Sequence, residues 1–362
     1  KMKQNSIWVY YGDDPKSMVL EILKKMQPEK NLDKDSNIGI KPNLVVAKPS
    51  TSGATTSPEL VEGIIEYFQS KGYMNISILE GSWIGDRTSR AFRICGYEDI
   101  SDRYNVPLID LQKDGSIEKE VDGLRLNICR SISQIDYLIN VPVLKGHCHT
   151  NITCALKNLK GCIPNSEKRR FHTMGLHKPI AYLSKAIRQD LIVVDGIMGD
   201  LNFEEGGNPV RMNRVLVGTD PVMMDSYAAD LLGFDLEDVP YIKMAEDIGA
   251  GKTDWSGSVI ELNSNEGIKI NTDKGRVRQF TRYIEERDAC SACYGSLIHA
   301  LDRMQGSGQL NRVKSKFYIG QHYKGKILDT GTGIGNCARG CPDYVPGCPP
   351  TARDILRHFQ KN

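Results

Sequence analysis

Asn37-Ile-Gly-Ile-Lys41-Pro42, then Ser57-Pro58-Glu-Leu-Val-Glu-Gly-Ile-Ile-Glu-Tyr-Phe68, then Asn75-Ile-Ser-Ile-Leu79 decide the fold. The first and third runs are short, apolar and β-branched, as strands are. In the middle run Leu60, Val61, Ile64, Ile65 and Phe68 form one helical stripe, behind a Ser57 cap and Pro58 at the first helical position. Gly72 ends that helix. Strand, helix, strand is the unit of a parallel sheet, and the rhythm continues in both directions. Upstream, Ile7–Tyr11 reads as a strand and Pro15–Met26 as a helix. Downstream, Tyr137–Leu144 reads as a central strand weakened by Pro142. A helix bearing Ile180, Leu183 and Ile187 precedes the strand Leu191–Val194. Asp220-Pro221 opens a helix that runs through Met223, Met224, Tyr227, Ala228 and Leu231 to Gly233. The expected fold class is α/β, a largely parallel sheet with helices on both faces, followed by a small C-terminal iron–sulfur domain. The expected division is 1–262 and 263–362, with polar Asn263–Glu286 as the connection.

With 362 residues, 40% hydrophobic and 25% charged, the chain has the composition of a globular protein with room for two cores. A net charge of +2 points to no nucleic-acid partner. No apolar run approaches the roughly 18 residues that span a bilayer, so no membrane insertion is expected. Ten cysteines without disulfide-scaffold density suit a reducing compartment, and the expected location is cytoplasmic.

The tail holds Cys290-Ser-Ala-Cys293, Gly335-Asn-Cys337-Ala and Val345-Pro-Gly-Cys348-Pro-Pro. Four thiols beside glycine, proline or small residues describe a pocket for a soft metal centre. Cys293 opens a helix with Leu297, Ala300, Leu301 and Met304 on one face, which places the centre at a helix N-terminus. A [4Fe–4S] cluster held by Cys290, Cys293, Cys337 and Cys348 is the leading reading. A structural zinc site and unligated thiols are the alternatives, and Cys341 could replace Cys337.

In the α/β region, charged residues follow strands: Lys41 before Pro42-Asn43, Glu80, Lys145 and His147, and Asp195. The crevice beyond such strand ends is where open α/β sheets bind ligands. From 145 to 170 there are six Lys/Arg and one acid, Glu167, a charge of +5. A helix over Asn151–Gly161 would add free amides, a combination suited to phosphate or carboxylate. Lys168, Arg169 and Arg170 read as a solvated basic face, and Glu204-Glu-Gly-Gly-Asn-Pro209 as a mobile turn, either closing over the crevice or a plain surface loop. His147 and His149 flank Cys148, but the spacing to Cys154 and Cys162 fits no zinc pattern, so these two are read as small core residues.

Gly335-Asn-Cys-Ala338 and Tyr344-Val-Pro-Gly-Cys-Pro-Pro350 resemble segments of the small cluster-bearing subunit of NADH:quinone oxidoreductases. That resemblance implies one [4Fe–4S] cluster. Over roughly residues 38 to 233 a longer series recurs: Lys41-Pro-Asn43, Glu80-Gly81, Val141-Pro-Val-Leu-Lys145 with His147, Thr153 with Ala155-Leu-Lys-Asn-Leu-Lys-Gly161, Lys168 with His172, Asp195-Gly196, Gly206-Gly-Asn-Pro209 and Asp220-Pro221. This series resembles the domain-of-unknown-function family numbered 362, whose members often carry iron–sulfur modules. The chain departs from many members in lacking a Cys-x-x-Cys-x-x-Cys repeat. The spacing of His147, Lys157 and His172 is similar to that in lactate racemase and its relatives, where two histidines and a lysine surround a lysine-attached nickel cofactor.

These readings combine into an anaerobic-type oxidoreductase in which a cluster delivers electrons to a small anionic substrate or cofactor, a flavin among the candidates. Lys41, Asn43, Lys145 and Asn158 would hold the anionic group. Glu80, His147, Lys157, His172 and Asp195 would carry the chemistry. The alternatives are an electron carrier that docks a redox partner protein and has no substrate of its own, and a non-redox epimerase or racemase with a structural metal site.

Overall fold

The β-branched runs become strands where apolar cover is available to them. In the computed structural model, which describes residues 5–263, 270, 278–313 and 315–360, eight strands form one sheet. From edge to edge they run Val259–Glu261, Ile7–Tyr11, Pro209–Gly218, Leu191–Asp200, Tyr137–Val141, Ile38–Pro42, Ile76–Glu80 and Leu108–Asp110. Every neighbouring pair is parallel except the two made by Pro209–Gly218. The result is an α/β fold with a large, mostly parallel sheet flanked by helices.

The helix Pro58–Ser70 buries Leu60, Val61, Ile64, Ile65 and Phe68, the stripe its sequence spacing predicts. These pack with Ile38, Ile40, Ile76, Ile78 and Val193 of the sheet, and with Met18, Val19, Ile22 and Leu23 of helix Pro15–Met26. Burying a side chain of that size contributes about 1.5–3 kcal/mol, so this stripe is a principal source of the unit's stability. Asp220 caps helix Pro221–Leu231 by accepting from the amides of Val222 and Met223. Ser57 makes no such bond; its own amide instead donates to Asp195.

The chain divides into two compact units, Lys1–Lys168 with His177–Thr272, and Arg169–Leu176 with Asp273–Asn362. Most of the polar connection, 264–269 and 271–277, lies outside the described residues. The second unit has a sheet of its own. Ile284–Glu286, Phe317–Ile319, Thr332–Ile334 and Asp343–Val345 pair in parallel in that order. Helix Ser291–Gly306 buries Leu297, Ala300, Leu301 and Met304 and packs against helix Ala352–Gln360. Among the described residues no helix is long and apolar enough to cross a membrane.

Candidate functional site

Beyond the end of strand Tyr137–Val141, the chain forms a small hairpin, Lys145–His147 against Asn151–Thr153, and then a single helical turn, Ala155–Asn158. The helix expected over Asn151–Gly161 starts only at Ala155 and continues as a 3-10 stretch over Leu159–Cys162, because Asn151–Thr153 pair in the hairpin and Asn151 sits at φ 62°, outside helical backbone. The hairpin and the turn direct Lys145, His147 and Lys157 at one residue, Glu204. Lys157 Nζ and His147 Nε2 contact the two carboxylate oxygens, the latter at 3.0 Å. Lys145 Nζ donates to the Glu204 carbonyl at 2.7 Å, to the Ala54 carbonyl at 2.6 Å and to Asn43 Oδ1 at 3.4 Å. All four residues are buried.

His147 Nδ1 accepts from the amides of His149 and Thr150, at 3.0 and 3.1 Å. That assigns the lone pair to Nδ1 and the proton to Nε2, which donates to Glu204. Burial, reinforced by the Lys157 charge, pushes the imidazole down to about 4, so it is neutral at physiological pH. Burial likewise brings the Lys145 amine down to about 7, against the pull of Glu204. For Glu204, burial works to raise the carboxyl, but Lys157, His147 and Lys145 hold it well below the carboxylate range. The plain surface loop expected at Glu204–Pro209 is therefore corrected. Glu204 and Glu205 are buried, and Asp200 anchors the loop by accepting from the amides of Asn202, Phe203 and Asn208 at 2.7–2.9 Å. Glu204 is the member of this buried cluster that sequence reasoning missed. Its partners Lys157 and His147 lie 47 and 57 positions away, so no local pattern marks it.

A second buried network lies at Lys41. Its Nζ is 2.8 Å from Glu80 Oε1, and Glu80 also accepts from the amides of Leu44 and Gly81 at 2.6 and 2.7 Å. Gly161 lies so close that a Cβ there would meet Glu80 Oε1 and the end of Lys41. Lys168 is no part of a solvated face, contrary to expectation. It is buried, and its Nζ donates to the carbonyls of Gly81 and Ser82 at 2.8 Å each. Desolvation brings its amine down to about 8. Asn158 bridges the strands, with Nδ2 donating to Asn140 Oδ1 at 2.7 Å and towards the carbonyls of Lys41 and Pro42.

Asp195 stands apart from Glu204. Its oxygens accept from the amides of Ser57 and Ile197, at 2.7 and 3.0 Å, while burial raises its carboxyl to about 6. The amides expected to be free at the helix start are also occupied: Asp225 accepts from Ala155 at 2.7 Å and from Leu156 at 3.3 Å. Any anion held here therefore relies on side-chain cations. Cys154 and Cys162 are fully buried, and burial pushes the Cys162 thiol up to about 12.

His172 belongs to the second unit, as do the tail cysteines. Cys290 is the cap residue of helix Ser291–Gly306, with Cys293 in its first turn. Burial raises the Cys293 thiol first, and then the proximity of Cys290, Cys348 and Cys337 adds to it. Cys337 is raised by burial and by Cys348, whereas Cys341 responds to burial and Asp343 and packs with Tyr323 and Ala338. Two loops are tied together beside them. Asn336 N–H donates to the Gly347 carbonyl, and Gly347 N–H to Asn336 Oδ1, each at 2.9 Å. Gly335 sits at φ 84°, and a Cβ there would come 3.7 Å from Cys293 Sγ. Ser291 Oγ, between the first two cysteines, is buried without a hydrogen-bond partner. Among the described residues no three His, Cys, Asp or Glu side chains are grouped so as to hold a metal ion.

The model of the domain of unknown function (DUF362) matches residues 38–230. The chain belongs to that family. The DUF362 match spans Lys41, Glu80, Lys145, His147, Lys157 and Glu204 and stops before the tail cysteines. A thylakoid-associated protein of Synechocystis sp. is 26% identical over an alignment of 225 positions that covers 59% of this chain and 68% of that relative. The solved lactate racemase apoprotein from Thermoanaerobacterium thermosaccharolyticum aligns with a TM-score of 0.38 at 14% identity, over 62% of this chain. The alignment spans 56% of the racemase, and a likeness of that extent carries nothing about activity.

Proposed function

We propose that this DUF362 protein is an iron–sulfur redox protein. Its second unit would hold one [4Fe–4S] cluster through Cys290, Cys293, Cys337 and Cys348, and its first unit would bind an anionic substrate or cofactor. The observation that carries the reading is that Asn336 and Gly347 tie the loops of Cys337 and Cys348 together, with Gly335 beside Cys293 Sγ, so that separate stretches of the tail meet there. The glycine at 335 leaves room beside Cys293, and the Ser291 hydroxyl is a donor without a partner, as suits a sulfur-rich guest.

When bound, such a cluster supplies single electrons. In the first unit, Lys145 and Lys157 offer positive charge to an anion, and His147 holds a proton at Nε2 facing the same place. A second reading, a non-redox acid–base enzyme of the epimerase or racemase kind, draws on one observation: His147 and Lys157 grip a single carboxylate without any help from the tail.

Anaerobic isolation followed by iron and sulfide analysis tests the proposal. Replacing Cys290, Cys293, Cys337 or Cys348 by alanine should each abolish labile sulfide, while Cys341→Ala should retain it. Equal loss in Cys341→Ala would refute the ligand set. Sulfide-free protein carrying one zinc per chain would refute the cluster.

A further inference from the structure

The groups that grip Glu204 and the segment that supplies it differ in kind. Lys145, His147 and Lys157 come from a hydrogen-bonded hairpin and a helical turn whose amides Asp225 caps. Glu204 comes from residues 201–208, a stretch without helix or strand between Leu191–Asp200 and Pro209–Gly218. Gly206 and Gly207 follow it at φ 70° and 149°. The loop lies directly on the hairpin, since a Cβ at Gly146 would collide with the backbone of Leu201 and Asn202. Of the carboxylates near Lys145, which are Glu204, Glu205 and Asp200, Asp200 is occupied by loop amides. Glu204 alone bridges Lys157 and His147 through its two oxygens.

Two donors on a fixed frame meeting the two oxygens of one carboxylate describe a carboxylate-binding site. We propose that Glu204 is an internal stand-in for a small-molecule carboxylate, which enters by displacing it and lifting the 201–208 loop. This rests on the anion-binding half of the proposed function and names its ligand class and its gate. Lys157 Nζ and His147 Nε2–H would each transfer their bond from a Glu204 oxygen to a ligand oxygen. Lys145 would stay on the Ala54 carbonyl and exchange the Glu204 carbonyl for ligand or water. Lys48, which donates to the Glu205 carbonyl at 2.7 Å, closes the far side of the loop and must also let go.

The test is an acetate titration by calorimetry, with inorganic phosphate as the comparison anion, on anaerobically isolated protein of known iron content. Glu204→Gln keeps the shape and removes the competing charge. It should bind acetate at least about tenfold more tightly than wild type, equivalent to 1.4 kcal/mol, and Lys157→Ala in the Glu204→Gln background should erase the gain. In wild type, acetate should speed hydrogen exchange at Asn202, Phe203 and Asn208, whose amides Asp200 holds. Folded Glu204→Gln with no gain overturns the proposal. So does exchange at those amides that acetate leaves unchanged, whether or not the variant folds. Tighter phosphate than acetate binding would overturn the ligand class. The iron assay is independent of all these outcomes, so a missing cluster and a missing carboxylate site are told apart.

Discussion

Glu80→Gln is expected to be among the most damaging single substitutions in the first unit. The carboxylate takes three donors at once: Lys41 Nζ at 2.8 Å, the Leu44 amide at 2.6 Å and the Gly81 amide at 2.7 Å. Glutamine replaces one oxygen by an NH2 group, which must face either a lysine or an amide, donor against donor. Lys41 would then be a buried cation left with the Pro42 carbonyl at 2.7 Å. Breaking a buried pair from one side costs about 3–5 kcal/mol, and for a domain of this size each kcal/mol lowers melting by about 2–4 °C. The expected drop is roughly 6–20 °C by these figures, followed by far-ultraviolet circular dichroism. Lys41→Met combined with Glu80→Gln should be less destabilised than the sum of the single changes, because the stranded cation is gone. A melting point unchanged or raised in Glu80→Gln would refute the reasoning. That result would mean the pair is kept at a cost in stability, as groups placed for binding and chemistry can be.

Other expectations follow from the same geometry. His147 is held neutral, with its native value near 4 against 6.5 for a free imidazole. The unfolded chain therefore binds the extra proton first, so His147 costs stability as pH falls from about 6.5 to about 4. The melting advantage of wild type over His147→Gln should shrink across that window; a pH-independent difference would contradict a His147 held neutral by burial. Gly146→Ala pushes a methyl into the backbone at Leu201 and Asn202, and should loosen the loop, read as faster amide exchange at Phe203. Unchanged exchange there would separate the loop from the hairpin. Ser291→Ala removes the buried, unpartnered hydroxyl between two proposed ligands. It should leave iron content intact and make the potential more negative by about 40 mV, the one-electron equivalent of a hydrogen bond worth about 1 kcal/mol. An identical potential would show that the hydroxyl does not face sulfur.

What the sequence shows of this molecule follows from the range of the interactions. The helix Pro58–Ser70 and the strands beside it are legible because apolar spacing and the Pro58 signal are local. The Asp220 cap is legible for the same reason. The grouping of Lys145, His147 and Lys157 is legible because they crowd one hairpin and turn. Glu204 and Lys168 were misread, since a Glu-Glu-Gly-Gly turn and a Lys-Arg-Arg run carry ordinary surface signals. Contacts to residues as far as 59 and 87 positions away hold them in buried surroundings. The parallel sheet of the second unit was invisible too: its strands are three residues long, too short for alternation to register. Asp225 reaches the amides of Ala155 and Leu156 across about 70 residues, and so removed a helix start that looked open to a ligand.

The most direct measurement of the central claim is a Mössbauer spectrum of iron-enriched protein isolated without oxygen, recorded before and after reduction. The account predicts four irons per chain in a cubane with delocalised valence, and reduction by a single electron. Iron bound only as isolated ions, or absent while zinc accompanies the folded chain, would contradict it.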